Sequence, residues 1–430
     1  MDKKRSFFSS LIRKDVFKTL ITSVACALAG LLVGFIVLLI VSPEAALEGF
    51  KTLSLGFLAV PNKYGLQAET LAKTLARTAP LIVSGVAILL AYKAGFFNIG
   101  ASGQFTMGVF AALYMALVWH LPWYLCMLGA IVFGAAYGAI VGVLKAFLNV
   151  NEVISGIMLN WIGLYLTSLI IKSTPQMWDS IKYETLPIKR VSPGSVIPSL
   201  GLEKLFNNYE YITIAIFIAI AVAIAVYIIL EKTTIGYKMK ATGFNKNAAK
   251  YAGMNEKVNT IVILAFSGAL AGLSGALLYL TGIENWYCPT NVPSMGFDGI
   301  SAAFLGGLSP IGSIISSFFI THISVGGSRL DTSFYSPEIA KVVTGVIIYL
   351  CAFVLFIKDR LDKRILKKDR EMLLANALRE SGTVTDTGGA PPKTQTDTDP
   401  EPSSGVAMPE TGGGPEPPPD SENDGKEAEA

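Results

Sequence analysis

Apolar runs about as long as a bilayer is thick recur through the first 360 or so positions, and no other feature constrains the fold as strongly. Residues 20–41, 212–230 and 342–357 are three of them, each approaching the roughly 20 residues an α-helix needs to cross the hydrocarbon layer. In that medium no water satisfies backbone N–H and C=O groups, so only helices or a closed barrel can span it, and runs of this length predict helices. Composition agrees: 52% of residues are hydrophobic and only 16% charged, against roughly 25% charged in a soluble domain. The expected fold is all-α, a polytopic bundle in the lipid bilayer with about eight full spans plus a broken or re-entrant helix pair, up to ten segments in all.

Candidate spans are 20–41, 71–92, 99–119, 124–145, 150–171, 209–230 and 259–282, then a broken region at 297–325 and a last span at 339–357. The second is the weakest, because Arg77 must reach toward an interface. The N-terminal run is too long for a signal-peptide core, so it is expected to be a retained span. Four regions follow: a basic N-terminus (1–19), a membrane body (20–357) holding a loop at 231–258, a basic stretch (358–380) and a tail (381–430). The tail carries eleven acids and two lysines, rich in Pro and Gly, with too few apolar residues to offset chain entropy. It is expected to be disordered.

Charge then sets topology. The N-terminus, the loop 231–257 with its six lysines, and KDRLDKRILKKDR after the last span should all face the cytoplasm. Counting crossings puts Lys93 and Lys145 on that side and the loop 172–208 outside. To finish inside, 297–325 must leave and return to the outer face, with Gly306, Gly307 and Pro310 supplying the break. Four cysteines without a close pair suggest neither a disulfide framework nor a metal site; only Cys288 falls in a loop, where it is expected to be open to an external reagent.

Several polar or small positions stand out against this apolar background. Gly30 with Gly34, the set Gly134, Gly138 and Gly142, and the pair Gly268 and Gly272 make small-residue notches suited to helix packing. AYKAGFFNIGASGQF carries Asn98 and Gln104, and NVNEVISGIMLN carries Asn151, Glu152 and Asn160. These side chains can line a solute path or tie helix ends together, and the residues alone leave both open. In the lysine loop, Lys246 to Tyr251 reads as a short helix between Gly243 and Gly253, either a grip for a soluble partner or a solvated connector.

Taken in order, AGFFNIGASGQ, NEVISGIMLN, GFNKNAAKYAGMN leading into SGALAGLSGALL, and GFDGISAAFLGGLSPIG resemble the permeases of the branched-chain amino acid and simple-sugar ABC importer superfamily, closest to its nucleoside-uptake branch. The resemblance covers roughly 70–350. It implies that Gly243, Asn245, Ala248, Ala249 and Gly253 belong to a coupling helix that docks on an ATPase. It implies that Asn98, Gln104, Asn151, Glu152, Asn160 and Asp298 lie around a translocation path. It also implies a bacterial cell membrane and three partners: an ABC ATPase subunit, a second homologous permease in a heterodimer, and a substrate-binding lipoprotein. The cargo would be a nucleoside or a simple sugar, with no nucleic acid involved.

ATP and its Mg would be bound on the ATPase and not here, because the only Gly-Lys pair, Gly425 and Lys426, precedes Glu427 and makes no Walker A motif. No cofactor or metal is expected on this chain. The main rival is an ion-coupled secondary transporter, weakened by the clustering of charges at span ends. With only His120 and His322 and no HExxH or nucleophile constellation, an enzyme is disfavoured.

Overall fold

The computed structural model describes residues 15–60 and 65–336, with isolated positions between 342 and 364. The expectations for residues 1–14, the last span, most of 358–380, the tail, Cys351 and the side chain of Cys26 lie outside the described residues. In chain order the helices are α1 (Asp15–Val41), α2 (Ala46–Leu55), α3 (Leu66–Lys93), α4 (Ala101–Leu117), α5 (Trp123–Leu148) and α6 (Glu152–Lys172). After a long loop come α7 (Ala215–Lys232), α8 (Thr234–Phe244), α9 (Lys246–Tyr251), α10 (Glu256–Tyr279), α11 (Met295–Leu305) and α12 (Pro310–Gly327). That loop holds only one-turn helical pieces and a two-residue antiparallel pair, Trp178–Asp179 with Glu184–Thr185.

Among the described residues six helices are long and apolar enough to cross a membrane: α3, α5, α6, α7, α10 and α12. α4, α11 and Leu28–Val41 of α1 are apolar but shorter. The chain is therefore a multi-pass helical membrane protein, although the described residues do not reach eight full spans.

The weakest span by sequence is the most enclosed. α3 packs against α10, α11, α7 and α12, and from Thr78 to Ala91 every residue is buried. A helix surrounded by protein needs no apolar coat, which is why polar groups are tolerated there. Thr70, Thr74 and Thr78 return their hydroxyls to the carbonyls four residues earlier at 2.7–2.8 Å, and the Pro80 carbonyl accepts from Ser274 Oγ of α10 at 2.7 Å.

α5 and α10 meet backbone to backbone. A β-carbon at Gly134 would collide with the Gly268 carbonyl, one at Gly138 with the Leu264 carbonyl, and one at Gly142 with Ile261. From the other side, Gly268 meets Gly134, and Gly272 meets Ala130. Gly108 of α4 packs on Gly272 as well. Small residues bring three helices together here, and dispersion over the close contact replaces the hydrophobic drive that lipid cannot supply.

The two ends of the bundle carry different chemistry. At one end Glu231 bridges Lys93 and Lys240, each at 3.0 Å, and Lys145 pairs with Glu152 at 2.9 Å. At the other, Arg77 pairs with Glu284, Lys189 with Glu210 at 3.4 Å, and Asn285 Nδ2 donates to Glu184 Oε1 at 3.1 Å. The α11–α12 pair leaves from and returns to this second, loop-capped end: Glu284 precedes it, and Arg329 just after it donates to Thr70 Oγ1 at 2.7 Å. Its far turn, where Gly306 and Gly312 touch, lies by the lysine-rich end, with Phe304 5.2 Å from Tyr92. Ser309 caps α12 with Pro310 in its first turn.

One expectation is corrected. Cys288 does lie in the loop before α11, but it is buried, and burial pushes its thiol pKa up. It is therefore a poor target for an external thiol reagent.

Candidate translocation and coupling sites

Two helices begin in the middle of the bundle instead of at a surface. After α3 ends at Lys93 the chain turns at Gly95, whose φ of +79° and contact with Gly243 suit glycine alone. It then climbs back inside without helix, and α4 starts only at Ala101. The level is fixed by Asn98, whose Nδ2 donates to Ser267 Oγ at 2.8 Å, because Ser267 sits at the middle of the 24-residue α10. α11 starts at a similar depth. The Met295 carbonyl accepts from Ser84 Oγ at 2.9 Å, and Ser84 stands nine residues before the end of α3, about 14 Å at the helical rise. The two starts touch, since a β-carbon at Gly296 would collide with Ser102.

A helix start exposes N–H groups that lack intrahelical partners, and in a bilayer they must be met by other protein groups. Asn160 of α6 does this for α4: its Oδ1 accepts from Gly103 N at 2.7 Å and its Nδ2 donates to the Ile99 carbonyl at 3.0 Å. Asn98 and Gln104 exchange two bonds, at 2.7 and 3.1 Å, and Ser267 passes its own proton to the Ala87 carbonyl at 2.8 Å. All three amides are at most 3% exposed. Of the two uses open to Asn98, Gln104 and Asn160, they are put to tying helix ends together in this structure.

The other path candidates lie apart. Asn151 caps α6, accepting from Val153 N at 2.8 Å, and Glu152 pairs with Lys145, both at the lysine-rich end. Asp298 alone stands at the second start. It is half-buried on the first turn of α11, with Ser294 Oγ donating to its Oδ2 at 2.9 Å. The inner face of α11, Gly296, Gly299, Ala302 and Ala303, is buried against its neighbours, whereas Phe297 is 42% exposed and Ser301 is half-open.

The lysine loop folds as two helices, α8 and α9, and leads into the span α10, each of the three opened by a side-chain cap. Thr233 accepts from Gly236 N, Asn245 from Ala248 N at 3.0 Å, and Asn255 from Val258 N. α9 spans Lys246 to Tyr251, as the glycine spacing predicts. Within it Ala249 is buried against the rest of the chain and Ala248 is exposed, because neighbouring residues lie about 100° apart around a helix. Gly243 packs on Ala94 and Gly95, while Gly253 is open with φ of +77°. Sequence reasoning missed the largest surface features here, Phe244 and Tyr251, which are 87% and 94% exposed. Their signal was available: one aromatic residue precedes the helix and another ends it, in an otherwise lysine-rich loop.

The family described as "Branched-chain amino acid transport system / permease component" matches residues 70–352. Curated relatives include the "Nucleoside ABC transporter permease protein NupB" of Lactococcus lactis, 32% identical over 69% of this chain and 82% of that protein. The "Guanosine ABC transporter permease protein NupP" of Bacillus subtilis is 29% identical over 80% and 97% respectively. The "Glucose ABC transporter permease protein TsgB13" of Haloferax volcanii is 28% identical over 65% and 74%. No solved structure matches. With two thirds of its length matched by the family and a glycine-locked, multi-pass helical body, this chain belongs to the ABC transport permease family and is a transport component, not an enzyme.

Proposed function

We propose that this chain is one permease half of a bacterial importer for nucleosides, energised by ATP hydrolysis on a separate ATPase subunit. The observation that carries the reading is α9 at the lysine-rich end, where Ala248 and Tyr251, and Phe244 just before it, are each left uncovered by the rest of the chain. An exposed aromatic pair costs hydration unless a partner covers it, and aromatic anchors in a pocket are the usual centres of protein interfaces. The lysine-rich end faces the cytoplasm by the positive-inside rule, where a soluble ATPase can reach it. Both termini lie on that side in this reading. A substrate-binding lipoprotein delivers solute at the loop-capped end, and a second, homologous permease completes the membrane part as a heterodimer.

A nucleoside is favoured over a sugar by the names of two similar permeases and by the ring-bearing face of α11. Coupling then requires that closure of the ATPase pair move α9. Gly243, packed on Ala94 and Gly95, ties the segment before α9 to the turn that leads from α3 into α4, so a push on α9 is passed toward a helix that begins at mid-depth.

The test is co-purification of the ATPase with the permease. Ala248→Arg places a bulky charge at the contact, at a cost on the order of 2–4 kcal/mol, or roughly 30- to 1,000-fold in association. Tyr251→Ser should act in the same direction. Both variants should leave the permease in the membrane at parental levels, because both positions are exposed. Ala249 is unsuited to this test, since a charge there is buried inside the permease itself. Parental co-purification and transport by both variants would refute the coupling assignment.

A further inference from the structure

We propose that the open face of α11, Phe297, Asp298 and Ser301 together with Ser294, is the solute-contacting wall that this chain contributes, and that Asp298 accepts hydrogen bonds from the sugar hydroxyls of a nucleoside. The inference rests on the importer reading above and names a contact surface within it.

Three observations converge on it. First, depth: the Met295 carbonyl is bonded to Ser84 and Gly299 packs on Ser84, so the first turn of α11 lies near the bilayer middle. Second, charge: a carboxylate at that depth is costly against lipid and marks a water-filled or partner-lined space. Asp298 is neither paired with a cation among the described residues nor fully enclosed. Ser294 holds one carboxylate oxygen, which fixes the group and leaves the other oxygen free to accept.

Third, composition: around the helix Asp298, Ser294 and Ser301 share one side with Phe297 and Phe304, while the opposite side is glycine and alanine packed against α3 and α4. A strip of acceptors and hydroxyls beside aromatic rings suits a neutral solute with a flat ring and vicinal hydroxyls. Elsewhere in the bundle the mid-depth amides already bond one another. The buried hydroxyls of Ser102, Ser313 and Ser317 lack partners but are at most 1% exposed, so no solute reaches them.

The complete importer, reconstituted in proteoliposomes and supplied with guanosine, separates the possible occupants of this face. Ser301→Cys, in a background with the four native cysteines replaced, should react with a small hydrophilic thiosulfonate, and guanosine should slow that reaction several-fold. Asp298→Asn should lower guanosine uptake about 10-fold, and Asp298→Leu should abolish it, with the complex assembled at parental yield in both. If the face meets lipid, Asp298→Leu transports normally and Ser301→Cys does not react; if it is buried against the second permease, Asp298→Leu disassembles the complex. Either result overturns the proposal. Absence of guanosine uptake by the parental complex would instead refute the cargo reading.

Discussion

α4 and α11 both begin in the middle of the bundle, yet their starts are treated in opposite ways. The start of α4 is sealed: Asn160 closes its backbone, Asn98 and Gln104 close on each other, and Ser267 ties them to α3 through α10. The start of α11 is left open on one side, where Asp298 and Phe297 meet whatever lies outside this chain. The difference teaches that a polar residue deep in a membrane protein is not by itself a solute contact. Satisfied amides hold broken helices in place; an incompletely enclosed carboxylate has work left to do.

Substitutions can break this comparison, and the largest effect is expected at the glycines on which the sealed start leans. Gly268→Leu drives a side chain into the Gly134 carbonyl and moves Ser267 away from Asn98. Backbone at the contact cannot yield as a flexible side chain does, so the cost should be about 3 kcal/mol or more, seen as loss of folded permease from the membrane. Next is Asn160→Leu, which strands the Gly103 N–H and the Ile99 carbonyl. At about 1–3 kcal/mol for each buried unsatisfied group, it should lower the thermal midpoint of the detergent-solubilised protein more than Asn98→Ala, whose loss is shared with Gln104.

At the open start the expectation reverses. Phe297→Ala removes an exposed ring, so stability should change by only about 0.5 kcal/mol while uptake falls. Equal destabilisation by Phe297→Ala and Asn160→Leu would erase the distinction between the two starts. The smallest effect on uptake belongs to Asn151→Ala, which removes an exposed helix cap worth about 1 kcal/mol of stability and should leave both uptake and assembly nearly parental.

Much of this arrangement was legible in the sequence. The lysines predicted to share one face do so through Lys93, Glu231 and Lys240. The pair hinged at Gly306 and Gly307 returns to the end it left, as the crossing count requires, and residues Lys246–Tyr251 of the lysine loop fold as the short helix their flanking glycines bracket. The span expected at 71–92 is present as α3; what hydropathy could not show is its enclosure, because hydropathy measures affinity for lipid and α3 meets protein instead.

Nor could composition separate the two roles of an intramembrane polar residue. Asn98 and Asp298 both stand out as polar positions in the sequence, and only packing shows that one is satisfied and the other open. The same limit explains Ala248 and Ala249, adjacent and identical, of which only the first faces outward. Cys288 was expected to be open because loops usually are, but this loop folds back on the body, with Trp286 N donating to Thr185 Oγ1 at 3.0 Å.

The central claim is that ATP on another subunit, and no ion gradient, drives solute through this chain. Inside-out vesicles cannot report import, so the measurement is guanosine accumulation by right-side-out proteoliposomes holding the complete importer, with ATP enclosed and the receptor outside. Accumulation should require the enclosed ATP, survive collapse of the proton and sodium gradients, and disappear with Ala248→Arg. Accumulation driven by an imposed ion gradient through the purified chain, without any ATPase, would contradict the account and make the protein a secondary transporter.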